Sequence, residues 1–246
     1  MAGSSGMQFA RVAARRGIVS RRQLARWARD HLRYRLRGAT DEETAAVLRA
    51  ARELITGVPG KDIDRMGPEV MAAILPRIYP EMLAEIHHHQ DEGRPAFIVS
   101  AAGDGIVGAL AAVLQMDGGI GTRYELDGSG NFTGRLDGPF VYGPGKVEAI
   151  ERFAEEHGID LATSWAYSDS ESDLPMLRAV GNAVVVNPDP GLARIARDGG
   201  WRVMQFERLG RRIAIGTATL IAALVGLGGR SVAARRRRPP RRLRFR

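Results

Sequence analysis

The segment Tyr167-Ser168-Asp169-Ser170-Glu171-Ser172-Asp173-Leu174-Pro175 sets two carboxylates four residues apart between an apolar run and a helical one. Asp169 can face the mouth of a sheet there and offer oxygen to a divalent cation, because magnesium takes one or two carboxylates and completes its shell with water and phosphate. Asp173 starts the helix that follows. Two further strand-to-helix junctions carry matching chemistry. Phe97-Ile98-Val99 runs into Ser100, whose hydroxyl, with the amide of Ala101, can hold one phosphate oxygen; Gly143-Pro144-Gly145 opens a helix on Lys146. A cation in the first turn of a helix opposes the helix dipole, so Lys146 calls for an anion beside it. Hydroxyl, lysine and carboxylate at successive strand ends meet the needs of phosphoryl transfer, which are charge neutralisation on the phosphate oxygens and, usually, a magnesium ion. Plainer readings exist for each residue alone. Ser100 can cap a helix near Gly103, Lys146 can lie solvated on its stem, and Asp169 and Ser172 can be turn and cap residues. Their recurrence at three junctions favours the chemical reading.

The elements that must position these groups follow from periodicity. Residues 7–92 show apolar positions at helical spacing without strand-like alternation, which predicts a bundle of successive helices. Thr40-Asp41-Glu42-Glu43 forms a capping box ahead of Ala45–Ile55, and Gly57 with Pro59-Gly60 ends that helix. From Ala96 onward, short β-branched runs at 96–99, 164–167, 183–186 and 202–205 alternate with helical runs near 104–116, 145–157, 172–180 and 190–198. That alternation predicts an α/β fold with a parallel sheet and crossover helices. The Gly-rich stretch from Gly118 to Tyr142 predicts an antiparallel ribbon overhanging the site. His87, His88 and His89 occupy consecutive helical positions about 100° apart, so they cannot converge on one ion and read as solvated.

Composition narrows the function classes. A chain of 246 residues holds one sizeable α/β domain and a smaller one. With no cysteine there is no disulfide framework, thiolate metal site or cysteine nucleophile, and with no signal-peptide pattern after Met1 the expected compartment is cytoplasmic. The net charge of +8 resides wholly in eight arginines of residues 231–246, since the other 28 basic residues match the 28 acids. A neutral body argues against a nucleic-acid groove, so no nucleic acid is expected as a partner. Ile213–Leu227 is apolar between flanking arginines and short of the roughly 20 residues that span a bilayer core. A span, an amphipathic surface helix and a packed terminal helix stay open for it, and membrane-surface contact through 208–246 is one expectation.

In combination, the strings FIVSAA, GTRYELDGSGNFTGRLDGPFVYGPGK and YSDSESDLPMLRAVGNAVVVNPD resemble the haloacid dehalogenase (HAD) superfamily, in its subfamily IB branch similar to phosphoserine phosphatase, over about residues 1–207. The resemblance implies a Rossmann-like, HAD-like parallel sheet with an N-terminal helical cap. The division would be a cap over 1–92, an α/β core over 93–207, and an apolar helix with a basic tail over 208–246. It also implies a magnesium-dependent (Mg2+) phosphatase acting on a small phosphorylated metabolite through an aspartyl-phosphate. By motif match, Ser100 with the Ala101 amide binds phosphate, Lys146 stabilises the phosphoaspartate, Asp169 ligates the metal and Asp173 is the supporting acid of that loop. The family's first motif, an apolar strand ending in Asp-x-Asp-x-Thr that carries the nucleophile and the general acid/base, finds no match. Asp62-Ile63-Asp64 is the one Asp-x-Asp string, and behind Pro59-Gly60-Lys61 it reads as the start of a surface helix. Gly3-Ser4-Ser5 resembles the segment just past that motif. The expectations are therefore an upstream extension supplying the motif, little or no hydrolysis by these 246 residues, and a sheet short of the strand between those ending at Ser100 and Ser168. Adjacent ladder groups would then stay unpaired or their strands would close up. A non-catalytic relative that binds a phosphorylated ligand or a partner protein is the alternative.

Overall fold

The computed structural model describes residues 1, 5–20, 22, 41–188 and 190–206. Helices come first: α1 (Ser5–Arg15), α2 (Asp41–Ile55), α3 (Gly60–Asp64), α4 (Gly67–Ile74) and α5 (Pro80–Asp91). Proline enters the first turn of α4 and of α5, where no amide partner is lost. Gly57 ends α2 in the left-handed region at φ 79°, which glycine adopts without a Cβ penalty. Val12, Ala13 and Val19 pack with Met66, Val70, Met71 and Ile74 into one apolar cluster, and Ile106 and Leu110 extend it toward the strand-bearing half. Asp62 and Asp64 sit in the short α3, as predicted for a surface helix start, with Asp62 3.6 Å from Arg65.

The α/β half opens with β1 (Phe97–Gly103), α6 (Asp104–Val113) and β2 (Gly118–Thr122), a parallel unit registered Phe97↔Gly118, Ile98↔Gly119 and Val99↔Ile120. The expected ribbon thus begins later than predicted. Gly118–Thr122 is a parallel strand, and its glycines serve close packing: a Cβ on Gly119 would lie 2.6 Å from Val107 Cγ1, and one on Gly121 2.5 Å from Asp104 Cα. The antiparallel ribbon itself is β3 (Tyr124–Leu126) with β4 (Phe132–Leu136). It is tied to the helical half, since the Gly57 amide donates to Phe132 O at 2.8 Å and the Gly60 amide to Gly130 O at 2.9 Å.

The chain then runs through α7 (Pro144–His157), β5 (Trp165–Ser168), α8 (Leu174–Ala179), β6 (Asn182–Val186), α9 (Pro190–Asp198) and β7 (Arg202–Met204). β5, β6 and β7 form a parallel ladder registered Ala166↔Ala183 and Val185↔Val203. Strand order is β1-β2 in one ladder and β5-β6-β7 in the other, and among the described residues no strand pairs with β1 on its second edge or with β5 on its own. Side chains join the two ladders instead. Val99 of β1 and Ile120 of β2 pack against the cluster formed by Ile150, Ala166, Met176, Leu177, Ala183, Val185, Leu192 and Ala196. The architecture is α/β with parallel sheets and helices. Among the described residues no helix is long and apolar enough to cross a membrane; the apolar run 213–227 and the arginine tail lie outside them.

Candidate active site

The regular β1–β2 register ends at Val99, and pairing resumes only at Gly103↔Thr122. Ser100 and Ala101 therefore occupy a bulge, where a strand bends and re-aims its side chains. The Ser100 hydroxyl accepts the Ala102 amide at 3.2 Å. It does not cap α6, which begins after Gly103 at the N-cap position and has no side-chain cap there.

Lys146 reaches its place through a tight turn. Gly143 takes φ 52°, Pro144 begins α7, and Gly145 passes so close to Phe140 that a Cβ would fall 2.0 Å from the Phe140 carbonyl oxygen. Only 7% of Lys146 is exposed, so it is no solvated surface lysine. Its Nζ lies 2.8 Å from Asp173 Oδ1. The anion demanded by a lysine in a first helical turn is thus Asp173.

Asp173 closes a 3-10 turn (Glu171–Asp173) and precedes α8 without capping it through its side chain. The second oxygen, Oδ2, accepts the Ser168 hydroxyl at 2.7 Å. Ser168 in turn accepts the Ser170 amide at 3.1 Å, and the hydroxyls of Ser170 and Ser172 stand 2.7 Å apart. Lys146, Asp173, Ser168 and Ser172 are all buried, and Asp169 stands exposed one residue beyond β5. The structure thus joins Lys146 and Asp173 directly, with Asp169 at the turn they brace, and holds Ser100 on the other ladder. Ser168, the second partner of Asp173, was not singled out from sequence; the signal was a hydroxyl sharing the buried face of β5 with Ala166, two residues apart.

Two other groups resolve differently from expectation. Of the three histidines, His87 and His88 are exposed, but His89 is half-buried and its Nε2 lies 2.7 Å from the Tyr167 hydroxyl. The chain brings it against β5, which helical spacing alone could not reveal. On the ribbon, Arg135 grips Glu125 with Nε and an NH2 group at 2.5 and 2.7 Å, and Arg123 lies 3.3 Å from Asp137. These charges partner one another.

The model of the haloacid dehalogenase-like hydrolase family matches residues 1–178. An "Inhibition of morphological differentiation protein" of Streptomyces azureus is 32% identical over 209 residues, covering 85% of this chain and 75% of that protein. A phosphoserine phosphatase of Mycobacterium tuberculosis is 33% identical over 235 residues, covering 94% of this chain and 75% of its own length. Among solved structures, a protein of unknown function from Bordetella pertussis superposes with a TM-score of 0.69 at 26% identity, covering 82% of this chain and 91% of that one. With more than half its length matched by the family model, this chain belongs to the haloacid dehalogenase-like hydrolases.

Proposed function

We propose that the protein is a phosphatase of the phosphoserine-phosphatase-like branch, subfamily IB, that cleaves a phosphomonoester of a small metabolite. The observation that carries this reading is the buried Lys146–Asp173 pair at the turn bearing Asp169. Burying an ion pair costs desolvation that its own attraction often does not repay, which points to a use for it beyond stability, and relatives that carry the word phosphatase in their names align over 94% and 95% of this chain. In this reading Ser100 and the Ala101 amide hold a phosphate oxygen, and Lys146, fixed by Asp173, neutralises the charge that develops on the transferred group. Residues 1–92 act as a helical cap and 93–207 as the core.

Asp169 offers the hard oxygen donor that magnesium prefers, so Asp169 would hold the ion. Such an ion would withdraw charge from the phosphate oxygens. Asp169 is one ligand, and among the described residues no three His, Asp or Glu side chains stand together as a metal-holding group. A second carboxylate and the nucleophile are therefore assigned to a strand ending in Asp-x-Asp-x-Thr, seated between β1 and β5, which among the described residues lie in separate ladders. The 246 residues by themselves should hydrolyse little or nothing.

The test is magnesium-dependent hydrolysis of p-nitrophenyl phosphate by the 246-residue chain and by the same chain with such a strand fused ahead of Met1. Turnover in the fused protein alone supports the proposal. Inactivity in both, each shown folded by circular dichroism, moves the assignment to a non-catalytic protein that binds a phosphorylated ligand or partner.

A further inference from the structure

On the face of β5 opposite Ser168, a run of polar side chains links three elements. Arg94, just past α5, donates from Nε to His89 Nδ1 at 2.7 Å. His89 Nε2 lies 2.7 Å from the Tyr167 hydroxyl, which donates to Glu85 Oε1 at 2.8 Å; Arg202 of β7 donates to the same oxygen at 2.6 Å. The proton inventory allows one arrangement. Ionised Glu85 only accepts, so the single phenolic hydrogen goes to it; Tyr167 must then accept, and His89 carries its proton on Nε2. Nδ1 is left as the acceptor for Arg94. A second proton on the ring would set two N–H groups against each other across 2.7 Å.

We propose that His89 is a positioning residue: neutral, it closes a hydrogen-bond chain that locks the end of β5, and with it the turn of Asp169, to α5, and its protonation opens that lock. The charged and titratable groups around it are Glu85 and His88 on α5, Glu92 and Arg94 beyond that helix, Tyr167 on β5, and Arg202 of β7 through Glu85. Arg94 is held on its far side, paired with Glu92 and with its guanidinium 4.7 Å over the Trp165 ring. It cannot retreat freely from a protonated ring. Burial, then the Arg94 charge, hold His89 below its ordinary 6.5. For Glu85, burial works the other way, but the Tyr167 and Arg202 hydrogen bonds prevail and bring its carboxyl below the usual range. Folded, His89 binds fewer protons than unfolded, so its contribution is whole above pH 6.5 and is lost as pH falls below that value. The bearing on activity rests on the reading of Asp169 as part of the site; the lock does not, and it is tested without an assay of hydrolysis.

Imidazole nitrogen NMR on the full chain should find His89 neutral with its proton on Nε2 at pH 7.5, and still mostly neutral at pH 6.5, where an ordinary imidazole is half protonated. Amide exchange then reads the loop through Ser170, whose amide donates to Ser168, with the paired β6 amides as the control for folding. Between pH 7.5 and 5, Ser170 protection, corrected for intrinsic rate, should fall at least tenfold while β6 holds. His89→Gln, which keeps a donor and an acceptor but does not titrate, should limit that fall to under twofold. Tyr167→Phe should lower Ser170 protection at both pH values. The proposal is overturned by His89 titrating at or above the ordinary 6.5, by equal pH dependence in His89→Gln and the parent, or by Ser170 protection indifferent to Tyr167→Phe. Loss of β6 protection in parallel with Ser170 would also overturn it, since acid would then be unfolding the core.

Discussion

Breaking the Lys146–Asp173 pair tests whether this ion pair is a buried one. The two side chains are 9% and 12% exposed, 2.8 Å apart, and Asp173 has a second partner in Ser168. Removing one member of such a pair leaves an uncompensated buried charge and costs about 3–5 kcal/mol, whereas replacing both members by apolar groups is often neutral. Among the described residues, Lys146→Met leaves the carboxylate with only the Ser168 hydroxyl, and Asp173→Leu leaves the ammonium with no ion-pair partner. Each single change should lower stability by about 3–5 kcal/mol, a large part of the roughly 5–15 kcal/mol that holds a domain together. In urea, with a slope of about 2 kcal/mol per molar, the midpoint falls by about 1.5–2.5 M. The double variant Lys146→Met/Asp173→Leu should return to within about 1 kcal/mol of the parent, a coupling well above the ~0.5 kcal/mol expected of independent sites. Urea titrations followed by circular dichroism provide all four corners of the cycle. Single variants that lose less than about 1 kcal/mol, as exposed pairs do, or a double variant no better than additive, would refute the reasoning.

Two glycine substitutions in one helix–strand unit should move stability in opposite directions. Gly121→Ala drives a Cβ against Asp104 Cα at 2.5 Å and should cost about 1–3 kcal/mol through overpacking. Gly105→Ala, in α6 with nothing within 4 Å of the new Cβ, should gain about 0.5–1 kcal/mol. Both are read by urea midpoint at constant slope. Asp117 accepts the Ala96 amide at 2.8 Å and Gln90 Nε2 at 3.0 Å, and these bonds, the backbone one first, hold its carboxyl below the ordinary 3.8. Its contribution is present above pH 3.8 and lost as pH falls through the folded value, so Asp117→Asn should flatten the acid limb of the stability–pH curve and leave its slope above pH 5 unchanged.

The parallel strands that end in chemistry were legible because their β-branched or apolar runs are bounded by helical periodicity. β5, β6 and β7 begin or end within a residue of expectation. β2 was not legible: three glycines in five residues carry no strand propensity, and their reason, the close approach of α6, exists only once the helix is packed. Lys146 could be singled out because a cation is out of place in a first helical turn, yet its partner could not be identified, since Asp173 lies 27 positions on and looks like an ordinary helix-start residue. His89 was misjudged for a related cause. Spacing along α5 says which way a side chain points, and Glu85 four residues earlier shares its face; that Tyr167 waits there is a tertiary fact.

The two ladders explain how the candidate site can be divided and still be one site. Ser100 rides on β1, Asp169 follows β5, and no backbone ladder connects them among the described residues. What crosses between them is α7. Phe153 of that helix packs edge-on against Phe97 of β1 with ring centres 4.8 Å apart, Ile150 lies in the cluster with Ala166 of β5, and Lys146 at its start grips Asp173. One helix thus ties the strand of the Ser100 bulge and the acidic turn into a common frame through side chains. Apolar contacts of this kind are non-directional, so they fix proximity but leave the strand edges to find backbone partners. An edge with unpaired amides and carbonyls is a template for another strand, and the strand proposed above would give both β1 and β5 a backbone partner. The unpaired edges that weaken the sheet are therefore the same edges that an added strand would complete.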